Sequence, residues 1–400
     1  MSELSNVLRA YEKVSRGGRT AALASVVSVS GSTYRRIGAH MLVTEDGEVT
    51  GAISGGCLER DICRHATWVM QSGEAKHLVY DSTGDDEAED AFALGCNGVV
   101  EVLVERLLPE DPTMGFLAGC LRRGESGVVA TIFAGGPDGD SKSCSRLLWC
   151  PNGTTLAIGI RSARLVQSLS ENARNVLASG KSAALTIGEG AGRAAACFEI
   201  VKPSSQLVIF GGGHDAIPLA AFAKALGTRV VVVDPRPGHA TRTRFPSAER
   251  LIVAEPQDAV GLIALDDNSS AVVMHHNYGL DFVALQALLP KPISYLGVLG
   301  PKRRTVRLLA DLARSGSVAT QTQLARLHGP AGLDLGAETP EEVALAIVAE
   351  MKAALAGRSG GPARERNGPL HQRTEPLSDS MCQMKHRVEY PAGTLMTETI

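Results

Sequence analysis

Leu207-Val208-Ile209-Phe210-Gly211-Gly212-Gly213-His214-Asp215-Ala216 reads as an apolar strand that runs into a glycine-rich turn and then into a helix. The turn has the form G-x-G-x-x-A. Gly211 permits the tight bend, Gly213 lets backbone approach a pyrophosphate, and Ala216 allows the helix to pack closely on the strand. His214 and Asp215 lie where the helix begins, and the first N–H groups of that helix face the anion. The next apolar run, Val230–Val233, ends in Asp234, where a carboxylate can accept the ribose hydroxyls of NAD and repel a 2′-phosphate. Arg236, two residues on, weakens that preference.

Further along the chain the pattern is regular. Strand-like runs at Leu207–Phe210, Arg229–Val233, Ala271–Met274 and Ile293–Leu296 alternate with helical stretches at Ala216–Leu226, Leu280–Leu289 and Lys302–Arg314. That alternation requires a parallel sheet covered on both faces, a Rossmann-type nucleotide-binding domain. His275, His276 and Asn277 fall at the carboxyl end of a strand, where open α/β sheets bind ligands, although the sequence places no carboxylate beside the two histidines. Lys302, Arg303 and Arg304 open a helix, and cations there oppose the helix dipole, which hints at an anion between them. His276 and Arg303 are therefore site candidates.

Pro203-Ser204-Ser205 is a polar break, so the expected division is a first domain over 1–202 and the Rossmann domain over 206–356. From Gly357 to Ile400 no apolar periodicity remains, and a disordered tail is expected. The first domain reads as α+β of undetermined topology. It has a helix near Leu4–Val14, a strand from Ala21 and a hairpin over His40–Ile53. A helix over Cys57–Gln71 and a strand over Val99–Arg106 follow, then strands at Gly127–Phe133, Arg146–Trp149 and Thr155–Ile160. A helix over Ser162–Ala178 precedes a closing strand at Ala194–Val201.

Two glycine-rich loops stand out in this half: Gly31 to Ala39, which holds Arg35 and Arg36, and Ile53 to Glu59, which holds Gly55, Gly56 and Cys57. Glycines free the backbone to wrap a ligand, and the two guanidinium groups suit phosphate. Cys57 is expected to begin a helix, where the dipole favours thiolate. Cys96, within Gly95-Cys96-Asn97-Gly98, is a second such thiol and precedes a strand. The eight cysteines contain no C-x-x-C pair and are read as free thiols of a reducing cytosol. With a net charge of −3 the 400 residues offer no broad basic surface for nucleic acid. No apolar run approaches the length of a membrane span, and the first ten residues have no signal-peptide pattern, so a cytoplasmic protein is expected.

Taken together, Gly31–Leu42, Gly51–Glu59, Gly95–Glu105, Phe210–Asp215, Asp234–Pro237, Leu296–Arg304 and Gly332–Ala349 resemble the xanthine dehydrogenase accessory family of the XdhC/CoxI type. Thr33-Tyr34 and His275-His276-Asn277 depart from the residues usual in that family. The resemblance implies an XdhC/CoxI-like domain followed by a Rossmann domain. It also implies an accessory protein that binds molybdenum cofactor, protects it during sulfuration and delivers it to a client molybdenum hydroxylase, such as xanthine dehydrogenase or carbon monoxide dehydrogenase. A cysteine desulfurase partner and a homodimer belong to the same expectation. Arginines and soft thiolates suit a pterin that carries a phosphate and a dithiolene-bound metal, which assigns Cys57 and Cys96 to the metal end. The rival reading is an NAD-dependent oxidoreductase with His276 as its proton donor.

Overall fold

The protein, described from a computed structural model, is placed over residues 3–82, 98–135, 144–188 and 193–365. Cys96 lies outside the described residues, as does the expected tail from 366 onward. The chain forms two compact units. One comprises Val14–Phe116 and Ser126–Val201. The other runs from Lys202 and includes Leu117–Glu125 and the first residues through Lys13.

The elements of the first half come in two similar rounds. Helix α1 (Glu3–Arg16) is followed by β1 (Ala21–Gly31), β2 (His40–Thr44), β3 (Val49–Gly51), α2 (Glu59–Ser72), β4 (Lys76–Asp81) and β5 (Gly98–Leu107). Helix α3 (Pro112–Arg123) then precedes β6 (Gly127–Gly135), β7 (Arg146–Trp149), β8 (Thr155–Ile158), α4 (Ala163–Ser179), β9 (Ala183–Ile187) and β10 (Ala194–Val201). The resulting antiparallel sheets have matching orders, β3-β2-β1-β5-β4 and β8-β7-β6-β10-β9. The topology left open by the sequence is thus one α-β-β-β-α-β-β pattern used twice.

Each sheet is covered by its own helix on one face and meets the other sheet on its second face. Along β1, Ala22, Ala24 and Val26 pack with Leu58 and with Ile62, Ala66 and Val69 of α2. On β1's opposite face, Val27 packs with Leu103 and Cys197. Covering on both faces explains why nine consecutive residues of β1 are buried or nearly so rather than alternating with exposed ones. The layer between the sheets is partly polar. His40 on β2 meets Ser25 at 2.9 Å and Glu199 on β10 at 2.9 Å, while Arg146 on β7 pairs with Glu105 on β5 and also donates to Thr131 and Thr113.

The second unit is built on a six-stranded parallel sheet. Its strands are β11 (Gln206–Phe210), β12 (Arg229–Val233), β13 (Arg250–Ile252), β14 (Ser269–Val273), β15 (Tyr295–Val298) and β16 (Leu327–His328), in the order β13-β12-β11-β14-β15-β16. Numbered within the unit this is 3-2-1-4-5-6, the dinucleotide-binding arrangement, with its switch point between β11 and β14. Period-two alternation divides the core. Val208 and Phe210 face helices α6 (Pro256–Gly261), α7 (Tyr278–Leu288) and α8 (Lys302–Arg314), whereas Leu207 and Ile209 face α5 (Ala216–Ala225) and α10 (Pro340–Leu355). Between α8 and β16 lies the short α9 (Gln321–Ala325). The parallel sheet with helices on both faces agrees with the sequence reading. The fifth strand starts two residues later than expected, because the Ile293 N–H bonds to Lys291 in a turn and the ladder begins only beyond it.

Removing one partner of the intersheet ion pair leaves a buried charge without compensation. Arg146→Ala should therefore lower the unfolding free energy by about 3–5 kcal/mol, read as a fall in the urea midpoint. Arg164→Ala, which changes an exposed residue of α4, should leave that midpoint nearly unchanged.

Candidate cofactor and nucleotide sites

In the first unit, the two glycine-rich loops lie at one end of the β1 sheet. Ile37 of the first loop and Ile53 and Leu58 of the second share one apolar cluster. A Cβ built on Gly55 would come within 3.9 Å of the Tyr34 ring. The second loop is organised by Ser54, whose hydroxyl accepts hydrogen bonds from the N–H groups of Gly56 at 3.1 Å and Leu58 at 3.2 Å and donates to Glu59. Glu59 also accepts the Ser54 N–H at 2.9 Å. Burial raises the pKa of Glu59, but the hydrogen bonds from Ser54 outweigh it and leave the carboxyl below its ordinary range.

This turn holds Cys57 exposed on the surface, with its sulfur 3.5 Å from the Ser54 hydroxyl. The helix starts at Glu59, with Leu58 as N-cap, so Cys57 precedes the helix rather than opening it as expected. The tight turn around Ser54, with Gly56 at φ 118°, uses the residues that periodicity had assigned to the helix. Arg36 is half-buried, and no carboxylate pairs with it among the described residues. Burial alone accordingly lowers its pKa from the ordinary arginine value. Cys96 lies outside the described residues. Gly98, which opens the strand after it, sits so close to the first loop that a Cβ there would lie 2.4 Å from the Ser32 carbonyl oxygen.

In the second unit, the candidate residues gather at the carboxyl end of the parallel sheet. Gly211 has φ 117°, and a Cβ on it would lie 2.5 Å from the carbonyl of Met274, so only glycine lets β11 turn against the end of β14. Gly213 faces His276, whose ring would be 3.7 Å from a Cβ at that position. His276 itself has φ 57°, and its Nε2 lies 3.0 Å from Asp215. A carboxylate therefore does stand beside each histidine. Asp281 accepts the His275 N–H and contacts its Nδ1, both at 3.1 Å, and also accepts from Arg304 Nη2.

The basic turn expected to seek an external anion thus finds part of its counter-charge inside the protein. Arg304 is paired with Asp281, while Arg303 is exposed and His214 likewise faces solvent. Asn277 caps α7 by accepting the Leu280 N–H.

Asp234 is the most constrained of the candidates. It is buried, and it accepts hydrogen bonds from the Gly212 N–H at 2.7 Å, the Arg236 N–H at 2.9 Å, and Arg236 Nε and Nη2 at 2.8 Å each. Burial pushes its pKa up, but the bonds from Arg236 and Gly212 prevail and hold it at about 2. Arg244 Nη2 donates to the Gly212 carbonyl at 2.9 Å, with His239 Nδ1 at 3.3 Å from the same oxygen. Arg244, His239, Asp281 and Ser54 were not singled out from the sequence. The only available signals were basic residues crowded after β12 and a serine five residues ahead of a glutamate.

Among the described residues no helix is long and apolar enough to cross a membrane. Fold and site define the class as a two-unit α/β protein, with glycine-loop geometry in one unit and a dinucleotide-type sheet in the other. The XdhC and CoxI family model matches residues 14–81, and the XdhC Rossmann domain model matches residues 207–351. A Bacillus subtilis protein, named as a probable subunit of xanthine dehydrogenase, is 29% identical over 83% of this chain and 92% of its own length. The Escherichia coli molybdenum cofactor insertion chaperone PaoD is 24% identical, over 86% of each chain. A crystal structure described as a xanthine dehydrogenase from Bacillus halodurans superposes with a TM-score of 0.71 at 28% identity, covering 90% of this chain and 97% of that one. The chain belongs to the xanthine dehydrogenase accessory family of the XdhC/CoxI type.

Two outcomes follow from this geometry. Gly211→Ala forces both a disfavoured φ and a clash with Met274, and it should destabilise the second unit by about 3 kcal/mol or more in chemical denaturation. Asp234 has a depressed folded-state pKa, so its contribution to stability is present above its unfolded value. That contribution should be lost as pH falls from 3.8 through about 2. Asp234→Asn should flatten this part of the stability profile measured against pH.

Proposed function

We propose that the protein binds molybdenum cofactor in the first-unit loops, shelters it during sulfuration and delivers it to a client molybdenum hydroxylase. In this reading residues 1–202 do the cofactor work and 206–356 hold a nucleotide. The observation that carries it is Arg36, a half-buried cation without a carboxylate partner among the described residues, in a glycine loop whose Tyr34 lies close to Gly55 of the turn that exposes Cys57. Burying a cation without compensation is unfavourable, and the phosphate of a pterin cofactor would supply the missing charge. Arg36 would hold that phosphate, with Arg35 and the Gly55–Gly56 backbone against the ligand and Cys57 towards the metal end. When bound, the cofactor brings its own dithiolene to hold molybdenum, so the protein need not provide a closed set of metal ligands.

The relative named as a molybdenum cofactor insertion chaperone supports the same role. A xanthine dehydrogenase or carbon monoxide dehydrogenase type of enzyme is the proposed client, and a cysteine desulfurase the sulfur source. The rival, an NAD-dependent oxidoreductase, gains one observation. His276 is exposed and paired with Asp215, as a proton donor near a nucleotide would be.

Metal and pterin analysis of protein purified from cells that make molybdenum cofactor separates the two. The expected result is near-stoichiometric molybdenum and pterin in the native chain. Arg36→Ala should reduce both, and Cys57→Ala should lower molybdenum more than pterin. Folded native protein that carries neither, yet oxidises NADH when an acceptor is added, would transfer the assignment to the oxidoreductase.

A further inference from the structure

The loop after β12 decides which nucleotide the second unit can hold. In this fold the adenosine ribose lies at the end of the second strand, where a free carboxylate takes its hydroxyls and an arginine takes a 2′-phosphate. This chain has both residues, Asp234 and Arg236, and their geometry distinguishes them.

Asp234 is buried and already accepts four hydrogen bonds, from Gly212, the Arg236 backbone, and Arg236 Nε and Nη2. A carboxylate offers about four lone-pair sites. None is left for a ribose hydroxyl. Arg236 spends only one edge of its guanidinium on that carboxylate. Its side chain is 46% exposed, and Nη1 with the outer edge is turned away from Asp234. The aspartate therefore acts as a rigid mount that presents a planar cation, an arrangement suited to phosphate.

Neighbouring residues strengthen the case. Between Asp234 and Phe245 the loop carries Arg236, His239, Arg242 and Arg244 and no further acid. Arg242 is fastened to the Ala248 carbonyl, and Arg244 and His239 are fastened to that of Gly212. Arg242, Arg244 and His239 thus each have a carbonyl partner, while Arg236 keeps an unfilled edge among the described residues.

We infer that the Rossmann unit selects a nucleotide with a phosphate on its adenosine 2′-oxygen, as in NADP, over one with a free 2′-hydroxyl, as in NAD. This rests on the proposal that the unit holds a nucleotide, and it names the class. It reverses the preference that an aspartate at this position suggests from sequence.

Isothermal titration of the full-length protein with 2′,5′-ADP, 5′-ADP, NADP and NAD tests it. The 2′-phosphorylated member of each pair should bind about tenfold tighter or more, the worth of a charge-assisted hydrogen-bonded contact. Arg236→Ala should abolish that margin and improve NAD binding, because the Asp234 carboxylate regains acceptor sites. Circular dichroism and thermal melting establish that the variant is folded. Should it unfold, Arg236→Lys, which keeps the charge but loses the fork, should still show a reduced margin. Equal or tighter binding of 5′-ADP and NAD to the native protein overturns the inference and leaves the nucleotide proposal standing. Failure of all four ligands to bind folded native protein overturns both.

Discussion

A carboxylate can be buried only where donors replace the water it gives up, since an uncompensated charge in the interior costs several kcal/mol. At Asp234 the donors come from two segments. The Gly212 N–H belongs to the turn after β11, and the Arg236 groups belong to the loop after β12. One side chain therefore fixes the glycine turn against the neighbouring loop and sets the direction in which Arg236 faces. The turn is held from its other side by Arg244 and His239, which meet the Gly212 carbonyl. Together with the contact of Gly211 against Met274, these bonds leave the carboxyl end of the sheet little freedom to rearrange around a ligand. Preorganisation of this kind lowers the ordering cost of binding and sharpens the choice among ligands.

The first unit solves its burial problem between two sheets instead of beneath one. Strands covered on both faces are normally apolar throughout, yet the layer here contains Glu105, Arg146, His40 and Glu199. Each charge has a partner on the opposing sheet, so the pairs set which strand faces which. Apolar contacts alone, being non-directional, would tolerate a slip of one sheet over the other. For His40, burial lowers the pKa, but the adjacent Glu199 outweighs it and raises the value. The His40–Glu199 contact and the Glu105–Arg146 pair thus act as register marks between the sheets, and the same layer supports β1 and β2, from whose connecting loop Arg36 projects.

What was legible in the sequence follows the range of the forces concerned. The parallel sheet could be read because strand runs, glycine turn and helices are local signals in fixed order. Helix α10 carries equally local signals, since Thr339 with Glu342 forms a capping box and Pro340 opens the first turn. Strand β9, Ala183–Ile187, reads Ala-Ala-Leu-Thr-Ile and so lacks the apolar alternation that marks a strand, and four of its five positions are only half-buried. The doubled pattern of the first half was invisible because it resides in strand order, while the two halves use different side chains. Site residues divide in the same way. Glycines, Arg36 and Cys57 announce themselves by type, whereas the roles of Asp281 and Arg244 depend on neighbours 23 and 32 residues away in sequence.

Position alone also misleads about Asp234. An acidic residue at the end of the second strand suggests a ribose acceptor, but a residue's role depends on the capacity left after the protein's own groups have been satisfied. Asp234 has none left, and Arg236 has half its fork. By the same count Arg36 in the first unit keeps all of its capacity among the described residues, and Arg304 has given part of its own to Asp281. The Arg36 loop of one unit and the Arg236 loop of the other thus each hold a partly buried or anchored guanidinium with capacity to spare among the described residues. Phosphate is the chemical group common to a pterin cofactor and a 2′-phosphorylated nucleotide. On the proposed reading each unit would therefore meet its ligand through the same physics, a guanidinium left short of an anion.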